Sequence, residues 1–415
     1  MIKEIFKKLI PNRYHEFIKQ YLLYRPIGKR RTNAVFCDKS LPQGINIIGI
    51  IRSGYSIGLQ CRFIAKALDA VNIPYCMIDL CEYLNIKKRN SDCDYEIGNK
   101  LIYNINLIVL NADIINHALR ALNYKEMNKR YNAGYWAWEF SEFPSVWQRG
   151  FHSLNEVWAN SYFSAEAIAK KSPVHVMPLP LYVDDINVNI DKGREYFKLK
   201  QDVFLFMAAY DCDSHTSRKN PQAVIKAFTK AFSPQDNHVG LILKLNNAEK
   251  YPKHVKELFN MLAGYQNIYY FDAYLSDEEM RALTAAADAF VSLHRAEGLG
   301  LIPMEAMVLG TPVISTAYSG NMEYMTNDNT ALVGYKLIPV KGEYFGTSME
   351  KNILWAEPDT EEAAEHMKRL VSDSKWREEL IQNGKKIKEK LNANVMGSTI
   401  RKRLEEIGLI NKETA

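Results

Sequence analysis

In the stretch HRAEGLGLIPMEAMVLGTPVIST, residues 294–316, two glutamates flank a pair of glycines. Glu297 follows the apolar run DAFVSL, which reads as a short buried strand, so this carboxylate falls in the loop beyond a strand's carboxyl end. Gly298 and Gly300 let backbone amides approach a ligand closely there. Pro303 suits the first turn of a following helix, which places Glu305 in that turn, near the helix N-terminus. Free amides at a helix start hold phosphate, and carboxylates accept the hydroxyl donors of a sugar. A nucleotide sugar presents both groups; the plainer alternative leaves Glu305 as a helix-stabilising acid and Glu297 as a solvated loop residue.

If a diphosphate leaves, cations must meet the charge that develops on it. Arg218 and Lys219 stand after the strand VFLFMAAY and before a helix opened by Pro221, and Lys244 ends VGLILK. In the first half of the chain, Gly54 and Gly58 border the turn after INIIGII and could bring amides to the same phosphate, although this spacing is not a dinucleotide fingerprint. The run GYWAWEFSEFP sets Trp136 and Trp138 beside Glu139, a combination that suits a sugar's apolar face and hydroxyls as well as it suits a core. Asp211 and Asp213 have a spacing that can bind a metal, but the adjacent Arg218 and Lys219 supply the charge without one, so no metal is expected. No GxSxG, HExxH or P-loop is present.

The elements that must position these residues alternate between short apolar runs and amphipathic segments. INIIGII, INLIVL, GYWAWE (134–139), EVWA and VHVMPL form a first strand series; VFLFMAAY, VGLILKL, NIYYF, DAFVSL and PVIST form a second. Each series predicts an α/β domain with a mostly parallel sheet, whose ligands bind beyond the carboxyl ends of strands. The expected organisation is a basic segment over 1–35, a first Rossmann-like domain over 40–185, a second over 200–375 and closing helices over 376–415. Two such domains would face one another across a cleft.

Composition is that of a soluble globular chain, 47% hydrophobic and 24% charged over 415 residues. Net charge is +5, but the first 31 residues hold nine Lys/Arg against Glu4 and Glu16, so the remainder is slightly acidic. That distribution argues against nucleic-acid binding. Ile2, Ile5, Phe6 and Leu9 recur at helical spacing among the lysines, a pattern that fits either peripheral attachment to an anionic membrane through residues 1–31 or a terminal helix packed on its own protein. No apolar run is long enough to span a bilayer, and a cytoplasmic location, at most peripheral on the inner membrane face, is expected. The six cysteines include no CxxC and read as reduced thiols.

Over roughly residues 45–375 the chain resembles glycosyltransferase family 4, retaining nucleotide-sugar transferases of the two-domain GT-B fold. EGLGLIPME matches the family's E-x7-E motif and is followed by AMVLGTPVIST and YSGNMEYM. The resemblance implies that Glu297 contacts the donor sugar near the reaction centre and Glu305 the ribose hydroxyls. It makes Gly298, Leu299 and Gly300 the loop that meets sugar or diphosphate, and Ser319, Gly320, Asn321 and Glu323 a second donor loop. Lys219 is similar to the lysine that clamps the diphosphate, and SGYSIG to the first-domain glycine loop. Asp213 and Ser214 stand where the family carries an arginine, so Arg218 or Lys244 takes over its charge. The first-domain histidine is absent from WAWE; Glu139 stands in its region, with Asn111 and Asp113 also on the acceptor side.

The implied activity is retaining transfer of a hexose from a UDP- or GDP-sugar to a glycan or lipid-linked glycan acceptor in surface polysaccharide (lipopolysaccharide or capsule) biosynthesis, with no cofactor required. The alternatives are another GT-B reaction, such as nucleotide-sugar epimerisation or phosphorolysis, and a non-catalytic sugar-binding or membrane-associated scaffold.

Overall fold

The computed structural model describes residues 37–88, 95–122, 124–183, 192–341, 343–344, 347–348 and 353–412. The basic amphipathic segment 1–35 therefore lies outside the described residues. The chain divides into two compact units. Among the described residues, one comprises the chain up to Trp138, Glu142–Leu181 and the chain from Ala393 onward; the other comprises Glu139–Ser141 and Tyr182–Asn392.

The first unit is built on a seven-stranded sheet in the order β3-β2-β1-β4-β5-β6-β7, with every neighbouring pair parallel. Its strands are β1 (Ile45–Gly49), β2 (Tyr75–Asp79), β3 (Ile97–Gly98), β4 (Ile105–Val109), β5 (Tyr131–Trp136), β6 (Glu156–Ala159) and β7 (His175–Pro178). β1 and β4 are buried along their whole length, which is why their apolar runs were legible as sequence. β2 and β3 are half-exposed and mixed in character, and they add two strands to the five that periodicity predicts. Register is fixed by a polar ladder inside the sheet. Asn46, Asn106 and Asn132 face one another on β1, β4 and β5, and their amides join at 2.8 Å at each step. A slip by one residue would bury all three unpaired. The same ladder sets β5 earlier than the 134–139 expected, leaving Glu139 three residues past the strand. The helix Ser56–Asp69 (α1) follows β1, and Tyr162–Ala169 (α2), capped by Ser161, follows β6.

The expected closing segment 376–415 does not act as one piece. It parts between Asn392 and Ala393, and the C-terminal helix Ala393–Glu406 packs on α1 of the first unit. Arg403 of that helix bonds the fully buried Glu156 at 2.6 and 3.0 Å, and Trp158 Nε1 donates to the other oxygen of the same carboxylate at 2.7 Å. A buried carboxylate demands such partners, so Glu156 ties the end of the chain to β6.

The second unit holds a six-stranded parallel sheet in the order β10-β9-β8-β11-β12-β13. The strands are β8 (Phe204–Asp211), β9 (Val239–Asn246), β10 (Ile268–Phe271), β11 (Ala289–Ser292), β12 (Val313–Thr316) and β13 (Ala331–Val333). Helices Pro221–Ala231 (α3), Pro252–Met261 (α4), Asp277–Ala286 (α5) and Leu301–Leu309 (α6) follow β8, β9, β10 and β11 respectively. α5 opens with a capping box between Ser276 and Glu279. From β8 the chain winds outward to β10, then returns to place β11 on the other side of β8. β8 and β11 are therefore the neighbours at which the winding reverses, the position where open parallel sheets bind ligands. Beyond β13 come two antiparallel pairs, β14 (Tyr335–Pro339) with β17 (Leu354–Pro358) and, between them in the chain, β15 (Glu343–Tyr344) with β16 (Thr347–Ser348); helices Thr360–Ser372 (α7) and Ser374–Lys385 (α8) follow.

Candidate active site

The loops after β8 and β11 carry the residues singled out by chemistry. After β8 the chain makes a four-residue helical turn, Thr216–Lys219, bracketed by two residues in left-handed backbone, His215 at φ 63° and Asn220 at φ 53°. Arg218 and Lys219 leave this turn towards the loop after β11. Lys219 Nζ donates to Glu297 Oε1, and Arg218 Nη1 reaches Glu297 Oε2 at 3.2 Å and Ala296 O at 2.8 Å. Glu139 Oε1 lies 3.8 Å from Arg218 Nη2, so this residue of WAWE belongs to the second unit by its contacts.

Glu297 is 7% exposed. Burial pushes its carboxyl up, but Lys219 and Arg218 outweigh burial and hold it at about 2. Burial also depresses the Lys219 ammonium despite the attraction of Glu297; the Arg218 guanidinium, likewise disfavoured by burial, is raised by Glu297 and Glu139. The result is a buried carboxylate with two cations beside it at the switch point.

The remaining donor-side residues frame this centre. Ser319 Oγ accepts from Glu297 N at 2.8 Å, and Gly320 N donates to Glu297 O at 3.0 Å. A Cβ on Gly320 would stand 1.9 Å from Gly298 O, so the two loops meet backbone to backbone. Gly300, at φ 87°, begins α6 in left-handed backbone, and Tyr324 Oη donates to its carbonyl at 2.6 Å. Leu299 and Asn321 are buried, and Glu323 is half-buried. Asn321 Oδ1 and Tyr318 O share His294 Nε2 at 3.2 Å each, while Ser292 Oγ meets Nδ1 at 3.0 Å. Both ring nitrogens of this fully buried histidine are engaged, and burial keeps it neutral by lowering its pKa. His294 thus ties both donor loops to β11. It and Tyr324 were missed by sequence reasoning, although His294 stands three residues before Glu297.

Several expectations need correction. Glu305 is the fifth residue of α6, beyond its first turn, and its partner is not the helix dipole but Arg281 of α5, at 3.3 Å. Pro303 proved to be the third helical residue because Gly300 already starts the helix. Trp136 and Trp138 are each 1% exposed and do not offer a sugar a ring face. Both pack on Phe143, at 5.7 and 5.8 Å between ring centres, so they share one core. Gly58 lies inside α1 and its amide donates to Tyr55 O, while a Cβ there would stand 2.7 Å from Ile50 O. It serves close packing, which leaves the exposed Gly54 as the open residue of that turn.

Lys244 is 2% exposed and stands on β9 opposite Ala209, away from the Glu297 cluster; its ammonium donates to Asn246 Oδ1 at 2.5 Å. Burial lowers its pKa to about 8. Arg218 is therefore the cation that joins Lys219. Asn111 accepts from Ala137 N at 2.9 Å, fixing the chain after β5, and Asp113 follows β4 half-buried. Asp211 and Asp213 do not converge: Asp211 caps Asp213 N at 2.8 Å and holds Asn247, while Asp213 pairs with Lys250. No group of three potential metal ligands occurs among the described residues.

Two Rossmann-like units in one chain constitute a GT-B-type fold, and comparison with known proteins agrees. Residues 194–337 match the family model described as glycosyl transferases group 1, a span that contains the whole Glu297 cluster except Glu139. No curated protein matches the chain. Among solved structures, Anabaena HepE in complex with UDP and glucose is similar at TM-score 0.61 and 14% identity, over 88% of this chain and 100% of that one. A glycosyltransferase from Rickettsia africae is similar at TM-score 0.62 and 14% identity, over 89% and 100%. WaaG, a glycosyltransferase involved in lipopolysaccharide biosynthesis, is similar at TM-score 0.56 and 13% identity, over 88% and 99%. At these identities the likeness is one of fold.

Proposed function

We propose that this protein is a retaining glycosyltransferase of family 4 that moves a hexose from a nucleotide-diphosphate sugar to a glycan or lipid-linked glycan acceptor. The observation that carries the reading is the buried Glu297 between Lys219 and Arg218 at the β8/β11 switch point, inside the span that matches the transferase family model. A diphosphate arriving beside two cations finds charge already placed, and Glu297, ionised at neutral pH, accepts sugar hydroxyls.

In the reaction the bond between the anomeric carbon and the β-phosphate oxygen breaks, and a bond from that carbon to an acceptor oxygen forms on the same face. The acceptor's proton passes to the departing phosphate. Lys219 and Arg218 stabilise the charge that appears on the diphosphate, and Glu297 orients the sugar. Glu305 holds the ribose, while the backbone of Gly298–Gly300 and the loop Ser319–Glu323 enclose the donor. Asn111 and Asp113 of the first unit serve the acceptor, and no cofactor is required. HepE was solved with UDP and glucose, and WaaG acts in lipopolysaccharide biosynthesis, which favours UDP-hexoses and surface polysaccharide as first candidates. No helix among the described residues is long and apolar enough to cross a membrane, and attachment of residues 1–31 to an anionic surface would bring the enzyme to a lipid-linked acceptor.

The test is a screen of UDP- and GDP-hexoses for transfer and slow hydrolysis, with product stereochemistry followed by NMR. At least one donor should yield nucleotide diphosphate and a sugar of retained configuration, and folded Glu297→Ala should lose most of that turnover. Inverted product, or full turnover by the variant, would overturn the assignment.

A further inference from the structure

Arg295 stands between β11 and Glu297, and none of the reaction roles above uses it. Among the described residues it makes five contacts, three through its guanidinium and two through its backbone. Nη1 donates to Ser217 O at 2.6 Å, Nε donates to Glu357 Oε2 at 2.6 Å, and the guanidinium lies 5.1 Å from the centre of the Trp355 ring. Its backbone N donates to Arg218 O at 2.8 Å, and its carbonyl accepts from Ala356 N at 2.9 Å. One residue therefore ties the Thr216–Lys219 turn, the loop carrying Glu297 and strand β17 together.

The turn needs such a hold. His215 and Asn220 bracket it in left-handed backbone, a conformation that persists in non-glycine residues where surroundings over-determine it. The other supports come from the same chain excursion: Tyr344 Oη shares a hydrogen bond with Ser217 Oγ at 3.1 Å, its ring lies 4.7 Å from that of His215, and it meets Trp355 edge-on at 5.6 Å. Phe140, the neighbour of Glu139, packs against both Tyr344 and Trp355. Tyr344, Trp355 and Glu357 thus buttress the back of the turn whose front presents Arg218 and Lys219.

We propose that Arg295 is a positioning residue: clamped by Glu357 and Trp355, it fixes the Thr216–Lys219 turn so that Lys219 and Arg218 stay in register with Glu297. A planar fork is required, because one group must bridge a carbonyl on one side and a carboxylate on the other while stacking on an indole. Lysine supplies a charge without that fork.

Part of this inference rests on the transferase reading and part does not, so two measurements are paired. In the first, independent of any substrate, lysine acylation at pH 8 is followed residue by residue by mass spectrometry. Lys219, held against Glu297, should label slowly in the parent protein. In Arg295→Ala its rate should rise about fivefold or more, in Arg295→Lys to an intermediate value, and in Glu357→Gln in the same direction, with the exposed Lys256 unchanged as control. In the second, with the donor found by the screen, Arg295→Ala should lower kcat at least tenfold with donor KM changed less than threefold. The acid limb of the pH profile should also move up as Glu297 loses its cations. Parent-like labelling of Lys219 in a folded Arg295→Ala protein would overturn the proposal whatever happened to turnover. Unchanged kcat alongside faster labelling would overturn the catalytic consequence. Failure of every donor would count against the transferase reading and leave the labelling result to decide the clamp.

Discussion

Replacing Glu297 with glutamine removes one charge from a buried triad while keeping its shape. In the folded protein burial raises the carboxyl, but Lys219 and Arg218 lower it by more, for a net value of about 2 against an ordinary 4.5. A gap of about 2.5 pH units, at about 1.4 kcal/mol each, is worth about 3 kcal/mol of folding stability. That agrees in size with the roughly 3–5 kcal/mol lost when a buried ion pair is broken from one side. Because the folded value lies below the unfolded one, the contribution is complete above about pH 4.5 and disappears as pH falls through about 2. Urea titrations of parent and Glu297→Gln at pH 7, 5, 4 and 3 should therefore show a difference of about 3 kcal/mol that shrinks steadily below pH 4.5. A scanning experiment at pH 7 should lower the transition of the second unit by roughly 6–12 °C. Equal stability at pH 7, or a difference that does not shrink on acidification, would refute the claim that the two cations hold Glu297 ionised.

Three further outcomes are expected. Gly320→Ala sets a Cβ 1.9 Å from Gly298 O, backbone that cannot move aside cheaply, so urea unfolding should show a loss of about 3 kcal/mol or more. Lys244→Met should stabilise the protein at pH 7 by up to about 3 kcal/mol, because burial depresses this lysine to about 8 from 10.5 and so penalises folding below pH 8. The gain should fade as pH rises from about 8 to 10.5, when the parent lysine is neutral in both states. Glu305→Gln breaks a half-buried pair with Arg281 at 3.3 Å and should cost under about 1 kcal/mol. Its larger effect should be a several-fold loss of nucleotide affinity by calorimetry.

Legibility followed how local each signal was. β1 and β4 announced themselves because a central parallel strand is apolar on both faces; β2 did not, because its five residues mix polar and apolar types although it lies inside the sheet, and β3 and β13 did not, because they are short edge strands. β14 lacks the alternation that marks a strand with one buried face, as it is almost wholly exposed. Glu305 was placed two residues too early in the helix because α6 starts at Leu301, after Gly300, rather than at Pro303.

What the sequence by itself determined was the local order of strand, glycine loop and helix around Glu297, and the presence of two α/β units. Tertiary structure decided who meets Glu297. Lys219 and Arg218 come from one turn some 78 residues away in the chain, and they arrive only because β8 and β11 lie side by side where the winding of the sheet reverses. Burial decided the rest. Two tryptophans that suited a sugar became core, and Arg295, which no sequence signal singled out, became the tie between three segments, because a guanidinium's partners are set by what folds around it.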